Sequence, residues 1–236
     1  IYWILLIKMN NIIVATRSPF REYLFRENLK ENDVVIYESK KDFVVNYETK
    51  YLDEFISDFI KNNFNCETSK CDYFEVDNIN SVKFLDLIRK NKTSIRLIMT
   101  GANFLRKKQY LEVSEIIKTR LNIHFGDPNK YRGLDSNIWS MLEDKTSYPV
   151  VTLHHANLNL DSGDIIFQAK SDKKFEEMTL QEFIKFEIEG AKVCLSKALK
   201  INEKTPIDSK FKNRGIYKTA MNSIEKKQAF KNLIPS

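Results

Sequence analysis

The chain has 236 residues, of which 42% are hydrophobic and 12% aromatic, so it can bury a substantial core and is not expected to be disordered. The 38 lysines and arginines outnumber the 32 acidic residues and give a formal net charge of +6. These positive charges are dispersed among the acids, whereas nucleic-acid binders usually carry them on one face. Six glycines and five prolines argue against a repetitive or all-turn β protein.

Cysteine usage and the first residues indicate where the protein works. Cys66, Cys71 and Cys194 form no Cys-x-x-Cys pair, so we expect a reducing cytoplasm, no disulfide framework and no metal site. The apolar residues 1–7 are too short to span a bilayer, and no membrane association is predicted. Residues 1–8 are a signal remnant, an extra edge strand or a stretch upstream of a natural start at Met9, and we favour the last.

Short β-branched strands alternate with helical stripes of apolar residues along the chain. We predict strands over residues 11–16, 34–37, 73–76, 95–100, 121–125, 150–155 and 165–169. We predict helices over residues 19–29, 51–60, 81–90, 107–118, 135–142 and 180–199. The Ser18-Pro19 pair is a good helix start, because proline fits the first helical turn.

This alternation predicts the α/β class, a Rossmann-like, mostly parallel sheet with helices on both faces. We expect residues 1–200 to form the main domain. Residues 201–236 are basic and polar, and we expect them to form a short C-terminal appendix, a hairpin or helix that packs on the domain or on a second subunit. In such sheets the binding site lies beyond the carboxyl ends of the strands.

The polar residues at one predicted strand end are candidates for a site. Asn122 and His124 share a face of the strand because side chains alternate with a period of two, and Ile123 points to the core. Asp161 lies in the turn Leu-Asp-Ser-Gly-Asp, which can bring a carboxylate back over the same edge. Taken alone, the pair is equally well explained as a structural cap of the following loop.

Residues 121–168 resemble the catalytic core of the folate-dependent formyltransferase family, in which Asn-x-His and Leu-Asp-x-Gly motifs occur in this order and near this separation. The resemblance implies that Asn122, His124 and Asp161 are catalytic. It further implies a folate-side loop with three more residues, Leu160, Ser162 and Gly163. The implied co-substrate is 10-formyltetrahydrofolate, and the implied reaction needs no metal.

The chemistry of formyl transfer suits these three groups. Asn122 can donate an amide N–H to the oxyanion of the tetrahedral intermediate. An imidazole with an ordinary pKa of about 6.5, such as that of His124, can accept the amine proton or help hold the oxyanion near neutral pH. Asp161 can orient His124 and help move a proton to the departing folate nitrogen.

Within the family, the chain is most similar to the sugar N-formyltransferases. The stretch from Tyr131 and Arg132 to Trp139 carries that resemblance and is expected to contact the acceptor. Arg132 either contacts a phosphate or is an exposed loop arginine, and Trp139 either faces the core or stacks on a ligand. His154 and His155 point to opposite sides of a strand and make a poor metal pair, and we expect one of them to be a buried structural histidine.

The resemblance implies a cytoplasmic, homodimeric enzyme that formylates a nucleotide-linked amino sugar for the O-antigen of lipopolysaccharide. We expect dTDP-4-amino-4,6-dideoxyglucose as the acceptor, with GDP-perosamine as the alternative. The residues after Thr16 and His124 differ from the purine and initiator-tRNA branches. Two competing hypotheses are a non-catalytic binder of nucleotide sugar or folate and, disfavoured by the dispersed charge and the short C-terminal segment, a tRNA formyltransferase.

Overall fold

A seven-stranded, mostly parallel sheet forms the centre of the molecule. The computed structural model describes residues 11–39, 58–59, 62, 72–91, 93–204 and 215–234. The strands are β1 Asn11–Thr16, β2 Asp33–Glu38, β3 Asp72–Val76, β4 Ile95–Thr100, β5 Ile117–His124, β7 Val150–His155 and β8 Ile165–Lys170, with β6 Tyr131–Gly133 and β9 Ile216–Lys218 in a separate pair. The order in the sheet is β3-β2-β1-β4-β5-β7-β8, and β7 and β8 run antiparallel to their neighbours. The predicted α/β, Rossmann-like class is therefore confirmed.

Helices cover both faces of this sheet. They are α1 Pro19–Asn28, α2 Val82–Lys90, α3 Lys107–Val113, α4 Ser136–Glu143, α5 Leu180–Ala198 and α6 Ser223–Phe230. One core lies between the sheet and α2 and α3, and the other lies between the sheet and α1 and α5. Side-chain caps start several helices, since Ser18 accepts from the Arg21 N–H and Thr179 forms a capping box with Glu182.

The structure corrects one predicted boundary. The helix expected over residues 107–118 ends at Val113, and β5 begins at Ile117 rather than at Leu121. A turn in which the Ile116 N–H donates to the Val113 carbonyl ends the helix. Ile117 then pairs with Ile95 of β4, because a buried β-branched residue is better placed in the sheet than in a seven-residue helix. The helix predicted over residues 51–60 lies almost entirely outside the described residues.

The C-terminal segment, residues 215–234, packs on the main domain. Its strand β9 pairs in parallel with β6, and α6 packs against α4 around Met141, Phe175 and Met221. The proposed division at residue 200 and the dimer contact remain predictions. Among the described residues, no helix is long and apolar enough to cross a membrane.

Candidate active site

Three predicted residues meet at the end of β5. Asn122 Nδ2 donates to Asp161 Oδ1 at 2.9 Å, and His124 Nδ1 lies 3.5 Å from Asp161 Oδ2. Ile123, between them in the chain, is 1% exposed and belongs to the core under α1 and α5. Its side chain therefore points to the other face of the sheet, as the strand alternation predicts. The loop after β7 folds back over the strand and brings Asp161 to this position, 39 residues after Asn122.

Asp161 is a buried carboxylate in an unusual backbone conformation. Its φ is 47°, in the left-handed region that aspartate tolerates better than most residues. Burial alone would raise its pKa, but attraction to His124 and hydrogen bonding with His154 and the Gly133 N–H hold the pKa below its usual range. The Gly133 N–H donates to Oδ2 at 2.8 Å, and Asn122 donates to Oδ1. Because both oxygens accept, the ionised form is favoured.

His124 is almost completely buried, with 5% of its surface exposed. Burial lowers its pKa, although the charge of Asp161 opposes that shift, so the neutral ring is favoured at neutral pH. Nε2 lies 3.2 Å from the Tyr131 carbonyl oxygen, and Nδ1 faces Asp161. Each ring nitrogen therefore has an oxygen acceptor beside it, and an imidazolium formed during reaction would have a partner on both sides.

His154 joins this group, which the sequence analysis did not foresee. Its Nε2 lies 3.1 Å from Asn122 Nδ2 and 3.4 Å from Asp161 Oδ1, and its Nδ1 donates to the His155 carbonyl oxygen at 2.8 Å. His154 pairs with Asn122 in the antiparallel register of β5 and β7, a relation that could be found only with the strand pairing known. We call Asn122, His124, His154 and Asp161 the reaction cluster. Among the described residues, no group of histidine, cysteine, aspartate and glutamate is arranged to hold a metal ion.

A cavity of about 540 Å³ opens beside the reaction cluster. Five apolar residues of its wall, which we call the apolar side, are Met99, Ala102, Phe104, Ala156 and Leu160. Met99, Ala102 and Ala156 also belong to, or pack against, the core under α2 and α3. The carboxyl ends of β1 and β4 meet here, where the Thr16 hydroxyl donates to the Gly101 carbonyl oxygen at 3.0 Å. The cavity thus lies at the strand ends where α/β proteins bind ligands.

Another part of the wall, the charged side, is formed by Arg21, Asp135, Glu187 and Lys226. Lys226 Nζ lies 3.1 Å from Asp135 Oδ2, and Glu187 accepts a hydrogen bond of 3.1 Å from Asn137. Burial raises the pKa of Glu187 to about 7, and the Asn137 hydrogen bond opposes that rise. This wall therefore carries both signs of charge together with an acid that titrates near neutral pH.

The predicted folate-side residues divide into one wall residue and two residues that shape the loop. Leu160 lines the cavity, whereas neither Ser162 nor Gly163 belongs to the described part of its wall. The Ser162 hydroxyl lies 2.8 Å from the Asn157 side-chain oxygen and 2.9 Å from the Asn159 carbonyl oxygen, within the same loop. A Cβ on Gly163 would lie 1.6 Å from the His155 carbonyl oxygen, so only glycine allows the loop to approach β7 this closely.

The three predicted acceptor residues do not belong to the described cavity wall, and each of them has a partner within the protein. Tyr131 donates its hydroxyl to Glu143, and burial raises its pKa. Arg132 donates from Nε to the Gly215 carbonyl oxygen at 2.9 Å and from Nη1 to the Leu160 carbonyl oxygen at 3.4 Å. Trp139 packs beside α6 and donates from Nε1 to the Thr219 carbonyl oxygen at 3.0 Å. Their role as substrate contacts remains a prediction.

Comparisons with known proteins give no match to any family model or to any curated protein. Solved structures do match in fold. A 4-N formyltransferase from Francisella tularensis shares 18% identity at a TM-score of 0.55, over 94% of this chain and 87% of that one. WlaRD is a sugar 3N-formyl transferase solved in the presence of dTDP and 5-N-formyl-THF. It shares 15% sequence identity at a TM-score of 0.52, over 94% of this chain and 79% of that one.

HypX from Aquifex aeolicus, solved in complex with tetrahydrofolic acid, shares 16% identity at a TM-score of 0.52. The match covers 92% of this chain but only 31% of HypX, so the chain spans about a third of that protein. At these identities the comparisons establish that the chain has the fold of these proteins.

Proposed function

We propose that the protein transfers the formyl group of 10-formyltetrahydrofolate to the amino group of a nucleotide-linked amino sugar. The observation that carries the proposal is the meeting of Asn122, His124 and Asp161 beside one cavity, in a chain with the fold of sugar N-formyltransferases. The preferred acceptor is dTDP-4-amino-4,6-dideoxyglucose, and GDP-perosamine is the alternative. An O-antigen pathway, a homodimer and a cytoplasmic location are part of the same proposal.

The two sides of the cavity suit two different substrates. A pteridine ring is flat with apolar faces, and the apolar side offers Met99, Phe104 and Leu160 for such a ring. A nucleotide-linked amino sugar carries anionic phosphates and an amino group, and the charged side offers both basic and acidic groups. Asn122 and His124 belong to the same cavity wall, so the reacting atoms of both substrates would meet beside the reaction cluster.

In the proposed reaction the unprotonated amine attacks the formyl carbon and forms a tetrahedral intermediate. The bond from that carbon to folate N10 then breaks, N10 gains a proton, and the acceptor nitrogen loses one. Asp161 lies between two imidazoles, at 3.5 Å from His124 and 3.4 Å from His154. The reaction cluster can therefore hold the transferred proton without leaving an uncompensated charge in a buried site.

Asn122 is the proposed donor to the oxyanion. Its Nδ2 is directed at both Asp161 and His154 in the described arrangement. Donation to the oxyanion therefore requires one of these hydrogen bonds to be exchanged for one to the substrate. Loss of one oxyanion donor typically lowers turnover by about a hundredfold or more.

The test is to incubate the purified chain with 10-formyltetrahydrofolate and a panel of nucleotide-linked amino sugars. We expect the acceptor mass to rise by one formyl group and tetrahydrofolate to form in equal amount. The matched control is the same panel with a hydroxyl in place of each amino group, which should remain unmodified. Binding of both substrates without turnover would instead support a non-catalytic binder, and formylation of initiator tRNA would support the tRNA alternative.

A further inference from the structure

The C-terminal segment is attached to the loop and helix that follow His124. The Arg132 side chain donates to the Gly215 carbonyl oxygen at 2.9 Å, and the Leu134 N–H donates to the Lys218 carbonyl oxygen at 3.1 Å. A Cβ on Gly133, whose φ is 96°, would lie 2.1 Å from that same oxygen. The position of residues 215–234 relative to the cavity is therefore fixed by main-chain contacts.

Helix α6 of this segment brings Lys226 to the cavity wall. A capping box between Asn222 and Glu225 starts the helix and fixes its first turn. Asp135 Oδ2 accepts from the Met221 N–H at 2.9 Å and lies 3.1 Å from Lys226 Nζ. Asp135 therefore fixes the position of the start of α6 and also orients the Lys226 side chain.

Among the described residues of the cavity wall, the lysines and arginines are Arg17, Arg21 and Lys226. Arg17 pairs with two glutamates, and 62% of its side chain is exposed. Arg21 Nη1 donates to the Thr16 hydroxyl and carbonyl oxygens at 2.5 and 3.2 Å. Lys226 pairs with Asp135, and because an ammonium group has three N–H donors it can keep this contact while donating to a ligand.

We propose that Lys226 binds a phosphate group of the acceptor, so that the C-terminal segment completes the acceptor part of the active site. The inference rests on the proposed function, which supplies the phosphate-bearing acceptor. A lysine ammonium binds phosphate as a compact point charge. Asp135 is a positioning residue here, because it acts on the acceptor through Lys226.

The first test uses dTDP, a nucleotide that carries the diphosphate without the amino sugar. Calorimetric titration of the full chain should show that K226M binds dTDP roughly ten- to a hundredfold more weakly than the wild type. K226R should retain part of the affinity. K227M is the matched control, because it removes the same charge from the next, exposed position of α6 and should bind dTDP normally. Equal thermal unfolding temperatures would show that both variants are folded.

Steady-state kinetics provide the second measurement. K226M should raise the KM for the nucleotide-linked amino sugar while the KM for 10-formyltetrahydrofolate stays unchanged, since the folate is assigned to the apolar side. A positioning role for Asp135 predicts that D135N weakens dTDP binding, but that adding D135N to K226M has no further effect. Additive losses in the double variant would contradict the positioning role.

The outcomes separate this inference from the proposed reaction. Equal dTDP affinity of the wild type and K226M overturns the inference, whether or not formyl transfer occurs. If the wild type transfers no formyl group but binds dTDP through Lys226, the proposed reaction fails and the phosphate site stands. Formylation of a free amino sugar by a protein that does not bind dTDP leaves formyl transfer intact and overturns the phosphate site.

Discussion

The reaction cluster and the loop around Arg132 both carry polar side chains, yet their environments differ. Asp161 and His124 contact each other beneath a folded-back loop, and the cavity opens directly beside them. Arg132 is directed at main-chain carbonyls on two segments, which it ties together. The difference shows that a polar residue near a catalytic motif contributes either to chemistry or to holding the motif in place, and substitutions can separate the two roles.

The largest effect is expected inside the reaction cluster. His124→Ala and Asn122→Ala should each lower kcat by about a hundredfold or more with folding unchanged, because each removes a group that stabilises the transition state. Formylated product measured by mass spectrometry gives the rate. His155→Ala is the matched control, since His155 is next to His154 but its side chain points away from Asp161 toward Glu203. Turnover like that of the wild type in either cluster variant would exclude that residue from the mechanism.

Asp161→Asn should lower kcat at least tenfold while preserving shape. The amide places an N–H where the carboxylate now accepts from either Gly133 or Asn122, and it removes the charge that would stabilise a protonated His124. Asp164→Asn, in the same loop, is the matched control and should leave kcat within about twofold. Retention of more than half of the rate in Asp161→Asn would leave Asp161 as a turn residue.

On the charged side of the cavity we expect an effect on stability that depends on pH. The pKa of Glu187 is raised from 4.5 to about 7, so the folded state holds this proton more tightly than the unfolded state. Its contribution to stability is complete below pH 4.5, falls as pH rises through about 7 and then levels off. E187Q cannot ionise, so its free energy of unfolding should exceed that of the wild type by up to about 3 kcal/mol at pH 8.

Denaturant unfolding at pH 5 and pH 8 measures this difference. The advantage of E187Q should grow between the two pH values, and E189Q, at an exposed position of the same helix, should show no such trend. A constant difference between E187Q and the wild type would show that Glu187 has an ordinary pKa in the folded protein.

The smallest effect is expected at Arg132. Its contacts with Gly215 and Leu160 predict that R132A lowers the free energy of unfolding by about 1.5 kcal/mol, the lower end of the scale for a lost charge-assisted hydrogen bond. R132K keeps the positive charge but lacks the planar guanidinium that donates to two carbonyl oxygens at once. It should therefore recover only part of the stability that R132A loses. An acceptor KM raised tenfold with unchanged stability would support the prediction from sequence that Arg132 contacts phosphate.

Local sequence patterns were sufficient for much of the fold. The β-branched runs predicted β1, β4 and β7, and the period of two placed Asn122 and His124 on one face. The boundary between α3 and β5 was wrong because helical spacing continues past Val113, while pairing with β4 decides where the strand begins. The spacing of apolar residues within one segment does not show which strand that segment pairs with, so it cannot fix such a boundary.

The sequence by itself determined the α/β class, the two apolar faces of the sheet and the motif that supplies Asn122, His124 and Asp161. Only the tertiary structure decided that His154 joins them, because that contact follows from the antiparallel register of β5 and β7. It also decided the charged side, where Arg21, Glu187 and Lys226 come from segments far apart in the chain. Their charges are brought together by packing around a shared cavity, and no local pattern in a single sequence encodes contacts of that range.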